Sequence, residues 1–301
     1  MRKILVLGAG GLLGHHVCGR GATRHHVFGT LRGSGPERSR LERVLPQVEL
    51  LESVDVLDES RLLGVLDAVE PDAIVNCVGI VKQRAEAEDP CLCIAINSLL
   101  PHRLARWAAD HGARLVHIGT DCVFDGRRGG YLEMDVPNAT DLYGRTKALG
   151  DTLPWEEAAI TLRTSFVGRE LGRRRHGLLE WFFENEGGRV RGFSRAIYSG
   201  LTALELAGVV LDVIEHHPDL RGLYHLASEP ISKDALLRLV REVFDLDIEI
   251  ESVEEPQIDL SLRMDRFTAA TGYSAPSWRT MLERLRHEST CAPAAAHGRS
   301  A

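Results

Sequence analysis

The clearest pattern in the chain is a set of short apolar runs without alternation. Ile4–Leu7, Ala73–Val75, Leu115–Ile118 and Ala159–Leu162 each read as a strand buried on both faces. Longer stretches with helical periodicity separate them. The predicted order is a strand at 3–7, a helix, a second strand at His25–Leu31, and a polar Gly/Pro/Arg-rich loop or short irregular helix over Gly33–Pro46. A third strand follows at Val48–Leu51, with Val54–Val56 as its end, and then a helix over 58–70. The fourth strand is Ala73–Gly79, the next helix Cys91–Asp110, the fifth strand Arg114–Ile118 and the sixth Ala159–Arg163. Strands alternating with helices predict an α/β fold, a doubly wound parallel sheet with helices on both faces.

From Ser165 the pattern changes. A helix carries Leu178, Leu179, Trp181, Phe182 and Phe183, set among Arg169, Arg173, Arg174, Arg175, His176, Arg189, Arg191 and Arg195. A helix at Thr202–His216 and a strand at Gly222–Leu226 are expected to return to the sheet. Residues 228–250 predict a helix and a short strand, and Arg263–Thr271 and Ser277–Arg286 two terminal helices. The expected division is 1–164 with 202–226 as a nucleotide-binding domain, and 165–201 with 227–288 as a smaller α/β substrate lobe. Residues 289–301, rich in Ala, Ser and Gly, are expected to be a disordered tail.

Composition narrows the function. The chain has 301 residues, 44% of them hydrophobic and 26% charged, with a formal net charge of −7. No basic run suggests nucleic acid or an anionic membrane as partner. No apolar run approaches a membrane span and no signal peptide is apparent, so a cytoplasmic location is expected. The six cysteines, among them Cys91 and Cys93, form neither a paired zinc pattern nor a Cys-x-x-Cys, so free thiols and no metal are expected.

Chemistry enters at two places. After the first strand comes Gly8-Ala-Gly10-Gly11-Leu12-Leu13-Gly14 and then a helix. Glycines there let the turn close and let backbone N–H groups approach a pyrophosphate, so this stretch predicts dinucleotide binding. Arg32 stands near the end of the second strand, where an NAD site usually has an acid; a guanidinium suits the extra phosphate of NADP. NAD stays open as the other cofactor. Asp55 could accept from the adenine amino group while Val56 packs on the ring, or Asp55 could simply start a turn. Cys77, Val78 and Gly79 lie where the fourth strand would end beside the cofactor. Asn97, on an apolar helix face, reads as a structural bridge.

The second place is Tyr143-Gly-Arg-Thr-Lys147. On a helix, Tyr143 and Lys147 share a face one turn apart. A nearby ammonium favours phenolate over a phenol whose free pKa is about 10, and the pair can then donate a proton to a developing oxyanion. Thr120, at the end of the fifth strand, offers a hydroxyl to a substrate oxygen or caps its own turn.

Taken together, Gly8–Gly14, Asn76–Gly79, Gly119-Thr-Asp-Cys-Val-Phe-Asp-Gly126, Tyr143–Lys147, Leu162-Arg-Thr-Ser165 and Tyr224-His-Leu-Ala227 make residues 1–288 resemble the extended short-chain dehydrogenase/reductases. Within them the chain resembles the sugar-nucleotide 4-ketoreductase family of dTDP-4-dehydrorhamnose reductase. The resemblance implies an NAD(P)-binding Rossmann fold and a catalytic triad of Thr120, Tyr143 and Lys147, with Asp121 at the substrate. It implies NADPH-dependent reduction of a nucleotide-diphosphate sugar bearing a 4-keto-6-deoxy group. Cys122, Phe166, Trp181, Arg191 and Arg195 are the further substrate-side candidates, the arginines because their forks fit phosphate oxygens.

Departures from the family pattern are Gly119 where Ser is usual, Cys122 in place of an aromatic and Phe166 in place of Trp. Cys122 also stands where related 4,6-dehydratases carry Glu, which disfavours dehydration. The other readings are an epimerase that retains NAD and a non-catalytic NADP-binding regulator. A homodimer is the candidate assembly; neither the nucleotide nor the sugar is legible.

Overall fold

A computed structural model describes residues 1–82, 85–153, 155–171 and 177–291. Its centre is a seven-stranded parallel sheet. The first six strands are β1 (Lys3–Leu7), β2 (His26–Thr30), β3 (Glu49–Leu51), β4 (Ala73–Asn76), β5 (Arg114–Ile118) and β6 (Ala159–Arg163). The strand Gly222–His225 forms one edge beside β6, followed by β5, β4, β1, β2 and, at the other edge, β3. Both faces are covered, and the alternation of side chains divides the core between them. Ile4 and Val6 of β1 join the cluster under the helices Gly14–Gly21 and Ala203–His216. Leu5 and Leu7 join the cluster under Glu59–Val69 and Leu100–Asp110. This two-sided burial explains why these strands read as unbroken apolar runs.

The chain runs from β1 outward to β3, then crosses back to place β4 on the other side of β1, with Leu7 opposite Asn76. The crevice outside the carboxyl ends of β1 and β4 is therefore the switch point at which such sheets bind ligands.

Three expectations need correction. The 36–44 segment is a regular helix, Pro36–Val44, with its proline in the first turn, where the missing N–H costs no bond. Val54–Val56 continues no strand: Ser53 takes a positive φ of 55° and only Val54 N–H reaches back, to Leu31 O at 3.0 Å. The helix expected over Cys91–Asp110 is interrupted by a π-helical turn at Ile94–Leu99. Pro101 has no N–H to donate to the carbonyl of Asn97, so the ladder cannot continue in α geometry there.

The remaining strands build the lobe. Phe166–Val167 pairs with Leu201–Thr202, Arg189–Phe193 with Glu249–Val253, and Ala196–Tyr198 with both Ile231–Ser232 and Ile258–Asp259. Its apolar residues Leu179, Phe182, Val190, Leu236 and Val240 belong to the same cluster as Ile4 and Val6, so lobe and sheet share one core. The last helix is Trp278–Cys291, which carries regular structure into 289–291, where a disordered tail was expected; residues 292–301 lie outside the described residues. Among the described residues no helix is long and apolar enough to cross a membrane.

Candidate active site

The turn after β1 is built by close backbone approach. Gly8 has φ +84°, and its N–H donates to Thr30 Oγ1 at 3.1 Å. A Cβ on Gly14 would lie 2.1 Å from Gly8 O, so no larger residue lets the helix start this near the strand. Beside this turn lies a cavity of about 220 Å³ lined by Gly8, Thr30, Arg32, Asp55, Val56, Val78 and Gly79, among others.

Of the twelve expected cofactor residues outside the Tyr143 helix, six thus line one cavity. Gly10, Gly11, Leu12, Leu13, Gly14 and Cys77 do not. Leu13 is core, Gly14 is buried against Gly8, and burial pushes the Cys77 thiol up to about 12. Asp55 Oδ1 accepts from Leu57 N–H at 3.0 Å, so one oxygen serves the local turn. Arg32 is exposed at the rim. Thr30 was not anticipated; a hydroxyl at a strand end opposite the first glycine is its only signal.

The second half of the site is the helix Leu142–Leu149. Asp141 caps it, accepting from Gly144 N–H at 3.0 Å, and Lys82 pairs with Asp141 at 3.0 Å while lying 5.6 Å from the centre of the Tyr143 ring. A Cβ on Gly144 would meet Cys122 O at 2.4 Å. The helix therefore sits directly on the 3₁₀ turn Asp121–Val123, which Thr120 caps by accepting from Cys122 N–H at 3.2 Å.

This packing brings Thr120, Asp121, Cys122 and Tyr143 together. Burial, followed by the neighbouring Cys122, holds the Tyr143 phenol well above its ordinary range, and its hydrogen bond with Thr120 opposes this only in part. The Cys122 thiol is likewise pushed up to about 12 by burial. Asp121 is 3% exposed and burial raises it, against the opposing pull of the neighbouring Ser165 and Cys122 and of Thr120, whose hydroxyl donates to Asp121 Oδ1 at 3.3 Å.

Lys147 lies one turn from Tyr143, as expected, and its amine is bonded to other groups. Its Nζ donates to Ile118 O at 2.8 Å and lies 3.4 Å from His117 Nε2. Burial brings the lysine down to about 8. Burial rather than an ammonium governs the Tyr143 phenol, which stays protonated. Asn97 is the bridge anticipated for it: Oδ1 accepts from Ile80 N–H at 2.9 Å, and Nδ2 donates to Ile80 O at 3.1 Å and to Thr146 Oγ1 at 3.3 Å. It ties the loop after β4 to the Tyr143 helix.

The unusual Gly119 has a steric cause. A Cβ there would lie 2.9 Å from Arg163 Cγ and 3.1 Å from Asp151 Oδ1. The space is filled by a buried ion pair in which Arg163 Nε and Nη2 both donate to Asp151 Oδ2, at 2.9 and 2.7 Å. Two buried hydroxyls were missed: Ser165 Oγ and Tyr198 OH have no well-formed hydrogen bond. Ser165 opposes the rise of the Asp121 carboxyl, and burial followed by the Asp121 charge raises the Tyr198 phenol.

The lobe candidates are less concentrated. Phe166 packs against the shared core. Trp181 stands 41% exposed beside Phe182. Arg195 pairs with Glu254 at 3.8 Å and Arg189 with Glu249 at 2.9 Å, both on the surface, and Arg191 lies on the same strand as Arg189. Arg169 donates to the buried Glu180 at 2.7 Å, a structural pairing rather than a phosphate fork. Arg173, Arg174, Arg175 and His176 lie outside the described residues. Among the described residues no group of three or more His, Cys, Asp or Glu side chains could hold a metal ion.

The family described as RmlD substrate binding domain matches residues 1–290. The methionine adenosyltransferase 2 subunit beta of Xenopus tropicalis is 26% identical over 257 residues, covering 81% of this chain and 73% of the relative. The dTDP-4-dehydrorhamnose reductase of Aggregatibacter actinomycetemcomitans is 23% identical over 314 residues, covering 95% and 99%. A dTDP-4-dehydrorhamnose reductase of Bacillus anthracis, solved in complex with NADP, superposes with a TM-score of 0.75 at 19% identity, covering 95% of this chain and 99% of that one. A match over nearly the whole chain, on a doubly wound parallel sheet, shows that this chain belongs to the RmlD substrate binding domain family of extended short-chain dehydrogenase/reductases.

Proposed function

We propose that the protein is an NADPH-dependent reductase of a nucleotide-linked 4-keto-6-deoxy sugar. The observation that carries the reading is the half-buried Tyr143, whose phenol desolvation keeps protonated, on the helix seated against the Thr120-capped turn and one helical turn from a buried Lys147. The nicotinamide, when bound, supplies the hydride. Gly8 and the rest of the turn let backbone approach a pyrophosphate, and exposed Arg32 at the rim suits a 2′-phosphate. Thr120 orients the carbonyl oxygen, and Tyr143 gives its proton to that oxygen as negative charge develops. Lys147 holds the ribose hydroxyls and, as ammonium, stabilises the phenolate left behind. Asp121, buried beside Thr120, is the group assigned to sugar hydroxyls.

Cys122 supports reduction over dehydration. Its thiol, raised to about 12, stays protonated and cannot serve as the carboxylate base of a 4,6-dehydratase. The names of the relatives support a reductase of a sugar nucleotide. The likeness to methionine adenosyltransferase 2 subunit beta favours one second reading, a regulator that binds NADP without turning it over. The test is NADPH consumption against dTDP- and UDP-linked 4-keto sugars with product identification. Turnover to a 4-hydroxy product supports the reductase; NADPH binding without consumption across the panel supports the regulator.

A further inference from the structure

A buried chain of polar groups ends on Lys147 and none of it has an assigned role. Val78 N–H donates to Asn76 Oδ1 at 3.1 Å, which fixes the amide: its Nδ2 must face His117, whose Nδ1 lies at 3.1 Å. An NH₂ group only donates, so Nδ1 of His117 is bare and accepts. His117 is 1% exposed, and burial followed by the neighbouring Lys147 pushes it well below its ordinary range. A neutral imidazole with a bare Nδ1 carries its proton on Nε2. That N–H faces Lys147 Nζ at 3.4 Å, while Nζ donates on its other side to Ile118 O at 2.8 Å. An ammonium would set donor against donor. A neutral amine, with one lone pair, satisfies both contacts.

We propose that His117 is a positioning residue whose Nε2–H opposes an ammonium on Lys147 and so lowers the pH at which this lysine titrates, until cofactor and substrate oxygens offer the ammonium better partners. The backbone at Val78, which lines the cofactor cavity, sets the imidazole tautomer through Asn76. The path therefore runs from the cofactor cavity to the lysine without passing through Tyr143. Other charged groups face this lysine and histidine. Asp151, on the turn after the lysine's helix and paired with Arg163 of β6, pulls Lys147 toward the ammonium, and His102 of the helix Leu100–Asp110 disfavours a charged His117. Tyr143, on the same helix as the lysine, is held protonated above its ordinary range. Among these groups His117 is the one whose N–H meets Nζ.

This inference rests on the reductase reading for its kinetic consequence but not for its structural one, and the two are measured separately. In ¹⁵N-histidine NMR of the wild-type protein, one imidazole should show a bare Nδ1 and a protonated Nε2 and stay neutral below pH 6 (about the unperturbed range). Its shifts should move as pH passes about 8, where Lys147 titrates, and that movement should vanish in Lys147→Met. His225 supplies an internal contrast, since its Nδ1 faces the carbonyl of Tyr131 and must carry the proton. A lysine-sensitive imidazole protonated on Nδ1, or none that responds to Lys147→Met, overturns the proposal whether or not any sugar is reduced.

On a verified substrate, reduction should decline as pH rises through the lysine's titration. His117→Phe should move that alkaline limb upward by about one pH unit, the scale of one net hydrogen bond. A folded His117→Phe enzyme whose limb stays in place also overturns it.

Discussion

The surroundings of Lys147 and the surface of the lobe hold cations in opposite settings. Lys147 is 5% exposed, bonds to a carbonyl and faces an imidazole, and burial decides its charge. Arg189 and Arg195 stand in water, each opposite a glutamate that is itself more than half exposed. In the first setting a single N–H shifts a proton equilibrium. In the second, solvent screens each pair to about 1 kcal/mol or less. The difference separates groups that can perform chemistry from groups that decorate a surface, although both read in the sequence simply as basic residues.

The sharpest way to break this contrast is to strip a partner from a buried charge. Asp151→Asn leaves the Arg163 guanidinium buried and unpaired, and such losses cost about 3–5 kcal/mol. Urea unfolding should show a drop of that order; a loss under about 1 kcal/mol would mean that the pair is no more than a surface bridge.

Next is Gly144→Ala. The added methyl would lie against Cys122 O, so the Tyr143 helix must shift, at about 1–3 kcal/mol. Turnover should fall with stability; wild-type values of both would show that the close seat on the Asp121–Val123 turn is unimportant.

Arg32→Ala should weaken NADPH by about tenfold or more, as for one charged hydrogen-bonded contact, and leave NADH nearly unchanged. Equal losses for the two cofactors would remove Arg32 from the 2′-phosphate.

The smallest effect belongs to the lobe. Arg195→Ala should change stability by less than about 1 kcal/mol, since Glu254 is an exposed partner. A roughly tenfold rise in the sugar nucleotide's KM, about 1.4 kcal/mol, would place Arg195 at the substrate and erase the contrast at that position.

The same contrast explains what the sequence disclosed. Strands β1, β4, β5 and β6 were legible because burial on both faces leaves them mostly apolar. The glycine-rich turn and the Tyr143 helix were legible because close backbone approach leaves glycine as the only residue that fits at Gly14 and Gly144. Gly119 looked like a departure. Its reason lies in Arg163 and Asp151, which meet it only in three dimensions.

The π turn at Ile94–Leu99 escaped because one extra residue per turn scarcely alters an apolar stripe, although Pro101 four residues after Asn97 marked the place. His117 drew no separate reading within its strand. Its meaning comes from Asn76 and Lys147, 41 and 30 residues away. In the lobe, Arg169 and Arg191 look alike in sequence. One is bound to the buried Glu180 and the other lies on an exposed strand, and no local pattern distinguishes them.

The central claim is that Tyr143, held as a phenol by burial, is the proton donor. Tyr143→Phe removes one hydroxyl and preserves the ring, so it tests the claim most directly. Turnover and the NADPH dissociation constant should be measured together on a verified 4-keto sugar nucleotide. The account predicts a loss of about 10²–10⁴-fold in turnover, the usual contribution of a positioned acid, with NADPH affinity almost unchanged. Wild-type turnover in the Tyr143→Phe enzyme would contradict it and leave the Leu142–Leu149 helix without its assigned chemistry.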